Sequence, residues 1–124
     1  MEEFERWIKQ AKADLDTAEY NLKGKKYYVC ANYSQQVVEK LLKAVIIKDK
    51  RKLIKTHSIT KMAKMLELPK KLIFKISELE PVQQESKYPD VSSKLPFEEY
   101  DEQDANEFLN TAEEVLIWVT NKLK

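Results

Sequence analysis

Apolar residues recur at helical spacing along most of the chain. Phe4, Trp7, Ala11, Leu15, Ala18 and Leu22 form one stripe with a period near 3.6 and predict a helix from about Glu2 to Lys23. Glu2, Glu3 and Glu5 suit the positive end of its dipole, and Lys23, Lys25 and Lys26 suit the negative end. Gly24 follows the stripe and is expected to cap it in the left-handed conformation, because it lacks a Cβ. Residues 27–48 carry two stripes. One is Cys30, Tyr33, Val37, Leu41 and Ala44; the other is Tyr27, Ala31, Val38, Leu42 and Ile46, with Val45 between them. A helix apolar on two flanks is expected at the centre of a bundle, packed from both sides, with a second subunit as one candidate neighbour.

Residues 49–56 form a basic connector, after which Thr56 or Ser58 offers an oxygen to cap the next helix. Ile59, Met62, Ala63 and Leu66 give that helix its buried stripe. Pro69 suits the first turn of a further helix, buried through Leu72, Ile73, Ile76 and Leu79 and ended by Pro81. Residues 82–100 show no clean period and contain Pro89 and Pro96. They are expected as a loop, pinned by Tyr88, Val91, Leu95, Phe97 and Tyr100, and long loops of this kind are often functional. A last helix starts near Asp101 or Asp104 and runs to about Leu123 on Ala105, Phe108, Ala112, Val115, Val119 and Leu123, widened by Leu109 and Leu116. The expectation is an all-α fold, an up-and-down bundle of about five helices, three long and two short, forming a single domain over residues 1–124. A chain of this length buries roughly two-thirds of its unfolded surface and needs no staples.

Composition removes several alternatives. One glycine and four prolines are too few for a turn-rich β-sandwich or barrel, and Gly24 alone cannot write a glycine-rich phosphate loop. One cysteine excludes an internal disulfide and a cysteine zinc site, and one histidine excludes a HExxH metal site, so no cofactor is expected. The uncharged runs fall far short of the ~20 apolar residues of a membrane span. The acidic start has the wrong sign for a signal peptide, and a cytoplasmic protein is expected.

Charge changes the picture more. The formal net charge is +1, but it is segregated. Residues 43–75 hold eleven Lys and Arg against two acids, a balance of +9. Residues 85–114 hold ten acids against two lysines, a balance of −8. Such asymmetry suits an anionic partner, solvated helix faces, or mutual attraction of the two segments within the fold or between subunits.

Several phrases together resemble a known family. Ala11, Asp14, Leu15, Ala18 and Leu22 resemble the opening helix of HEPN domains. Tyr27-Tyr28, Cys30 and the run Gln35-Gln36-Val37-Val38-Glu39-Lys40-Leu41-Leu42-Lys43-Ala44 resemble the family's central helix. Thr56-His57-Ser58-Ile59 resembles the entry to its third helix, followed by Leu66. Lys87-Tyr88-Pro89-Asp90 is similar to its Arg-Tyr-Pro-Asp motif, with lysine for arginine, and Ala105, Ala112 and Val115 match its last helix. The resemblance implies a five-helix bundle, usually a homodimer, that partners a minimal nucleotidyltransferase and binds nucleotide or RNA. It also implies an alternative. Some members are metal-independent endoribonuclease toxins that carry an arginine and a histidine separated by four to six residues.

Arg51 and His57 have five residues between them and are the candidate catalytic pair. A histidine can move the proton of a ribose hydroxyl or of the leaving group, and an arginine can hold the phosphate. In the nuclease members the pair lies within a later helix, whereas here it spans the basic connector and no Arg-Asn pair occurs. The alternative role of His57 is structural, in the first turn of the third helix. The candidate nucleotide- or RNA-binding residues are Gln36, Lys40, Lys43, Lys55, His57 and Tyr88. Glu39 and Lys43, four apart, equally suit a simple helix-stabilising pair. Tyr33 and Tyr88 are candidates to stack on a base, although Tyr33 lies on a core stripe and Tyr88 equally suits pinning the loop. A third reading is a ligand-free dimeric interaction module.

Overall fold

The computed structural model describes residues 1–49 and 56–124. Among them are seven helical segments and no strand: α1 (Glu3–Lys23), α2 (Tyr27–Lys48), α3 (Ile59–Met65), α4 (Lys70–Leu79), α5 (Val82–Glu85), α6 (Pro96–Glu99) and α7 (Glu102–Lys122). The three long helices and the two of middle length fall where the periodicity places them. The stretch 82–100 differs from the expected plain loop. It holds two single-turn helices, because Pro81 and Pro96 each start a turn where a missing N–H leaves no bond unmade.

α2 is the hub. It packs against all six other helices. Cys30, Ala31, Val37, Val38, Leu41, Leu42, Val45 and Ile46 are all buried on it. Its two stripes therefore both do what their spacing predicts. The small side chains of Ala11 and Ala18 on α1, Ala31 on α2, and Ala105 and Ala112 on α7 are fully buried and let the helix backbones approach closely. Burial pushes the Cys30 thiol up to about 11, with the charge of Glu19 adding to the rise. Its Sγ lies 3.8 Å from the Ala105 carbonyl oxygen, as expected of an inert core thiol.

α1 and α2 are joined by three residues into an antiparallel hairpin. Here the cap departs from expectation. Gly24 has φ −80°, and the left-handed position is Lys25 at φ 63°. The Lys26 N–H reaches the Asn21 carbonyl and the Lys25 N–H reaches the Leu22 carbonyl, so the paired bonds of a Schellman motif put Lys25, not Gly24, at the turning position. α3 ends the same way with Glu67 at φ 59°.

The region after α5 is held at both ends. The Tyr100 hydroxyl donates to Glu85 Oε2 at 3.3 Å, and its ring meets Phe108 edge-on at 6.0 Å. Between these anchors Tyr88, Val91, Leu95 and Phe97 stay exposed, so Tyr100 alone of the predicted pins is buried.

Candidate functional site

The entry to α3 is built from α4. Glu80, just past the end of α4, accepts from the Ser58 hydroxyl at 2.6 Å and from the Thr60 N–H at 3.0 Å. Ser58 in turn accepts from the Lys61 N–H and caps α3. Burial alone would raise the Glu80 carboxyl, but the bonds from Ser58 and Thr60 and the charge of Lys61 hold it below its ordinary value. This clasp sets the position of His57, one residue ahead of the cap.

From there His57 reaches the edge of α2. Its Nδ1 lies 3.1 Å from Glu39 Oε2, and the same oxygen accepts from Lys43 Nζ at 2.7 Å. Gln35 Nε2 donates to the other oxygen, Oε1, at 3.3 Å, and Gln36 Nε2 donates to Gln35 Oε1 at 2.9 Å. Glu39 is thus a buried carboxylate with three donors around it. Burial pushes its carboxyl up, but the hydrogen bonds of Lys43, His57 and Gln35 and the charge of Lys43 outweigh it, and the group stays below the ordinary carboxylate value. The His57 side chain is 71% exposed, so the ring leans on Glu39 with its far side in solvent. The Lys43 ammonium also sits 5.7 Å from the centre of the Trp7 ring, which ties the cluster to α1.

A second polar pair lies beside it on the same two helices. Lys40 Nζ donates to Asp14 Oδ2, and Gln10 Nε2 donates to Asp14 Oδ1 at 3.0 Å. Asp14 is buried. Trp7, Gln10 and Asp14 stand three and four apart on α1, facing Gln36, Lys40 and Lys43 on α2. The seam between the two helices is therefore apolar on its inner side and polar on its outer side. It opens to solvent as a cleft of about 1000 Å³ lined by Glu3, Arg6, Trp7, Lys9, Gln10 and Lys40, among others.

Four of the residues predicted for binding thus share one edge of the molecule: Gln36, Lys40, Lys43 and His57. Each already makes a contact within the fold. Lys40 is held by Asp14 and Lys43 by Glu39, so the i, i+4 reading of Glu39 and Lys43 is observed, with His57 added to it. Tyr88 follows α5 and is exposed, and its side chain makes no hydrogen bond or ring contact among the described residues. Arg51 and Lys55 lie outside the described residues. Tyr33 is half-buried against the core, as its stripe implies. Among the described residues no three His, Cys, Asp or Glu side chains group to hold a metal, and the acids Asp101 and Asp104 instead cap α7 reciprocally.

Glu80, Arg6, Lys9 and Gln10 carry no reading in the sequence, and Asp14 enters there only through the family resemblance. The signal for Asp14 was present, a charge at the centre of the Ala11, Leu15, Ala18 stripe, where a carboxylate needs a partner. Nothing local marks Glu80, whose partners lie about twenty residues earlier.

A helical bundle organised on one two-sided central helix, with polar pairs from α1 and the α3 entry set on one edge of it, defines the class. The HEPN domain family model matches residues 4–123, and the chain belongs to that family. It is similar over its full length, and over the full length of the other chain, to an archaeal HEPN homologue of known crystal structure, at 34% identity and a TM-score of 0.87. A protein from Thermus thermophilus shares the fold at 24% identity and a TM-score of 0.90, covering 98% of this chain and 99% of the other. A HEPN domain protein from Thermotoga maritima does so at 24% identity and 0.77, covering 95% and 97%. None of the curated proteins matches the chain. Among the described residues no helix is long and apolar enough to cross a membrane.

Proposed function

We propose that this HEPN protein binds a nucleotide or RNA as a homodimer and partners a minimal nucleotidyltransferase in a toxin–antitoxin-like pair. The observation that supports it is the gathering of Gln36 and Lys40 on one edge of α2 with His57 from the α3 entry, around the buried Lys43–Glu39 pair and beside an open cleft. Gln36, Lys40 and Lys43 stand on α2, and His57 is brought to them from the α3 entry, 18 residues on from Glu39. Expressing the chain with the nucleotidyltransferase encoded beside it, purifying through one tag, and weighing both chains by mass spectrometry tests the pairing. Calorimetry with ATP, GTP and single-stranded RNA tests the ligand. A neighbourhood without a nucleotidyltransferase, together with no heat of binding for any of the three, removes the reading.

One contact favours the second reading, a metal-independent endoribonuclease using Arg51 and His57. A histidine held through Nδ1 by a buried carboxylate has Nε2 left facing solvent, the arrangement in which an orienting acid prepares a general base. RNA incubated with the protein in EDTA is cleaved under this reading, and His57→Ala abolishes the cleavage. Cleavage that survives the substitution removes His57 from the mechanism.

A further inference from the structure

Lys40 and Lys43 are already neutralised by Asp14 and Glu39, and Lys48 lies over the Phe4 ring, so the charge that meets an anion in the α1–α2 cleft comes from elsewhere on this edge. α1 supplies it. Arg6 and Lys9 line the α1–α2 cleft, are exposed, and make no ion pair among the described residues. Trp7 stands between them in sequence and lines the same cleft. It is half-buried, its ring is fixed near the Lys43 ammonium, and its indole N–H has no hydrogen-bond partner among the described residues. Lys40 closes the far wall, its charge spent on Asp14. One acid, Glu3, lies on the rim. The cleft therefore offers a flat aromatic surface, two free cations of different shape, and the unused carbonyl oxygen of Gln10, whose amide is committed to Asp14.

We infer that Arg6, Trp7 and Lys9 form a nucleoside-phosphate subsite, with the base stacked on Trp7 and the phosphate held by Arg6 and Lys9. This deepens the proposed nucleotide or RNA binding and rests on it. The chemistry is specific at each position. Base stacking on an aromatic ring tolerates any base and contributes about 1–3 kcal/mol. A guanidinium grips phosphate oxygens in a fork, and an ammonium adds a point charge. Lys43 above the same indole raises the positive potential of the stacking surface without itself being free to bind. A free nucleotide and one residue of an RNA strand present the same group, and the cleft is open enough to admit either.

The test uses the full chain with Trp118→Phe, which leaves Trp7 as the only indole. ATP and a short oligoadenylate are titrated in parallel, by calorimetry and by tryptophan fluorescence. Binding is expected to quench Trp7, and Arg6→Glu and Lys9→Glu are each expected to weaken it tenfold or more. Each is also expected to lower the slope of log affinity against log salt by about one for the RNA arm. Trp7→Ala is expected to lose binding and Trp7→Phe to keep most of it. Should Trp7→Ala fail to fold, the two exposed charge reversals carry the test alone. A ligand that binds while Trp7 emission stays unchanged and both reversals bind normally overturns the subsite and leaves the functional reading standing. Silence from wild type toward both ligands overturns the two together. Tight ATP with no RNA binding, or the reverse, supports the subsite and identifies which source it serves.

Discussion

Lys43 Nζ donates to Glu39 Oε2 at 2.7 Å, and the two side chains are nearly as buried as the core, at 11% and 10% exposure. A carboxylate in that position adds a pH dependence to the bundle. Glu39 titrates below its ordinary value of 4.5 in the fold, so the unfolded chain takes up the proton first. Its stabilising contribution is complete above that ordinary value and is lost as pH falls through the folded one. Glu80 acts in the same direction. The melting temperature is therefore expected to hold near neutrality and to fall below about pH 4.5. Glu39→Gln should flatten part of that fall, and Glu39→Gln with Glu80→Gln more of it. Circular dichroism melts from pH 7 to pH 3 measure the slopes. Equal slopes for wild type and Glu39→Gln would contradict the assignment.

Asp14 and Lys40 make a different prediction, because one of them is buried and the other partly exposed, at 6% and 23%. Removing one partner of a buried pair leaves an uncompensated charge, whereas replacing both with apolar groups of similar volume is often neutral. Asp14→Leu alone is expected to cost on the order of 2 kcal/mol, below the full buried-pair penalty because Lys40 can turn to water. Lys40→Met alone strands Asp14 against the core and is expected to cost at least as much. The double variant should recover most of either loss. Urea unfolding of the four proteins gives the coupling directly, and additive losses would show that the pair does not act as a unit.

These two pairs show why some of the site was legible and some was not. The stripes on α1, α2 and α7 place Gln36, Lys40 and Lys43 on the edge of the core, since a residue beside an apolar stripe must lie at its margin. Whether such a lysine is free is a tertiary question. Asp14 answers it for Lys40 from 26 positions away, and no local pattern states that. His57 was placed at the start of α3 by the capping residues, but Glu80 and Glu39, which set its contacts, arrive through packing of α4 and α2. Between Tyr88 and Phe97 the apolar residues carry no period, and most of them end exposed rather than pinned, so hydrophobicity alone misjudged their burial.

The turn between α1 and α2 invites a paired substitution. Lys25 holds a left-handed conformation that costs a side-chain-bearing residue about 1–2 kcal/mol, while Gly24 occupies an ordinary one. A Cβ at Gly24 would meet only the Tyr20 and Asn21 carbonyl oxygens, at 3.5 and 3.8 Å, which is normal contact. Gly24→Ala is therefore expected to stabilise by about 0.4–1 kcal/mol through the unfolded chain. Lys25→Gly removes the strain and gives back part of it in chain entropy, a net gain of roughly 0.5–1 kcal/mol. Together they should raise the midpoint of thermal unfolding by several degrees. Destabilisation by Gly24→Ala would show that the cap lies elsewhere than at Lys25.

Dimerisation, part of the proposed function, has a surface suited to it where α4 meets α7. Phe74 and Ile117 are large, apolar and 65% and 63% exposed, and Lys75 Nζ bridges to Glu114 Oε1 at 2.8 Å between the same two helices. That bridge is worth little as an internal contact, since both side chains are 46% exposed. Lys70 and Lys71 are also oddly placed for α4 itself. They stand in its first turn, where the helix dipole disfavours cations. Under the proposed dimer, a second copy is expected to cover the exposed Phe74 and Ile117. Phe74→Glu with Ile117→Glu is then expected to convert the dimer to monomer. Melting measured at a concentration where wild type is also monomeric should barely move, because neither side chain is buried within one chain. Static light scattering across a concentration series decides it. A doubly substituted protein that still elutes with dimer mass would place the contact on another face, and a wild type that is monomeric at high micromolar concentration would remove the dimer altogether.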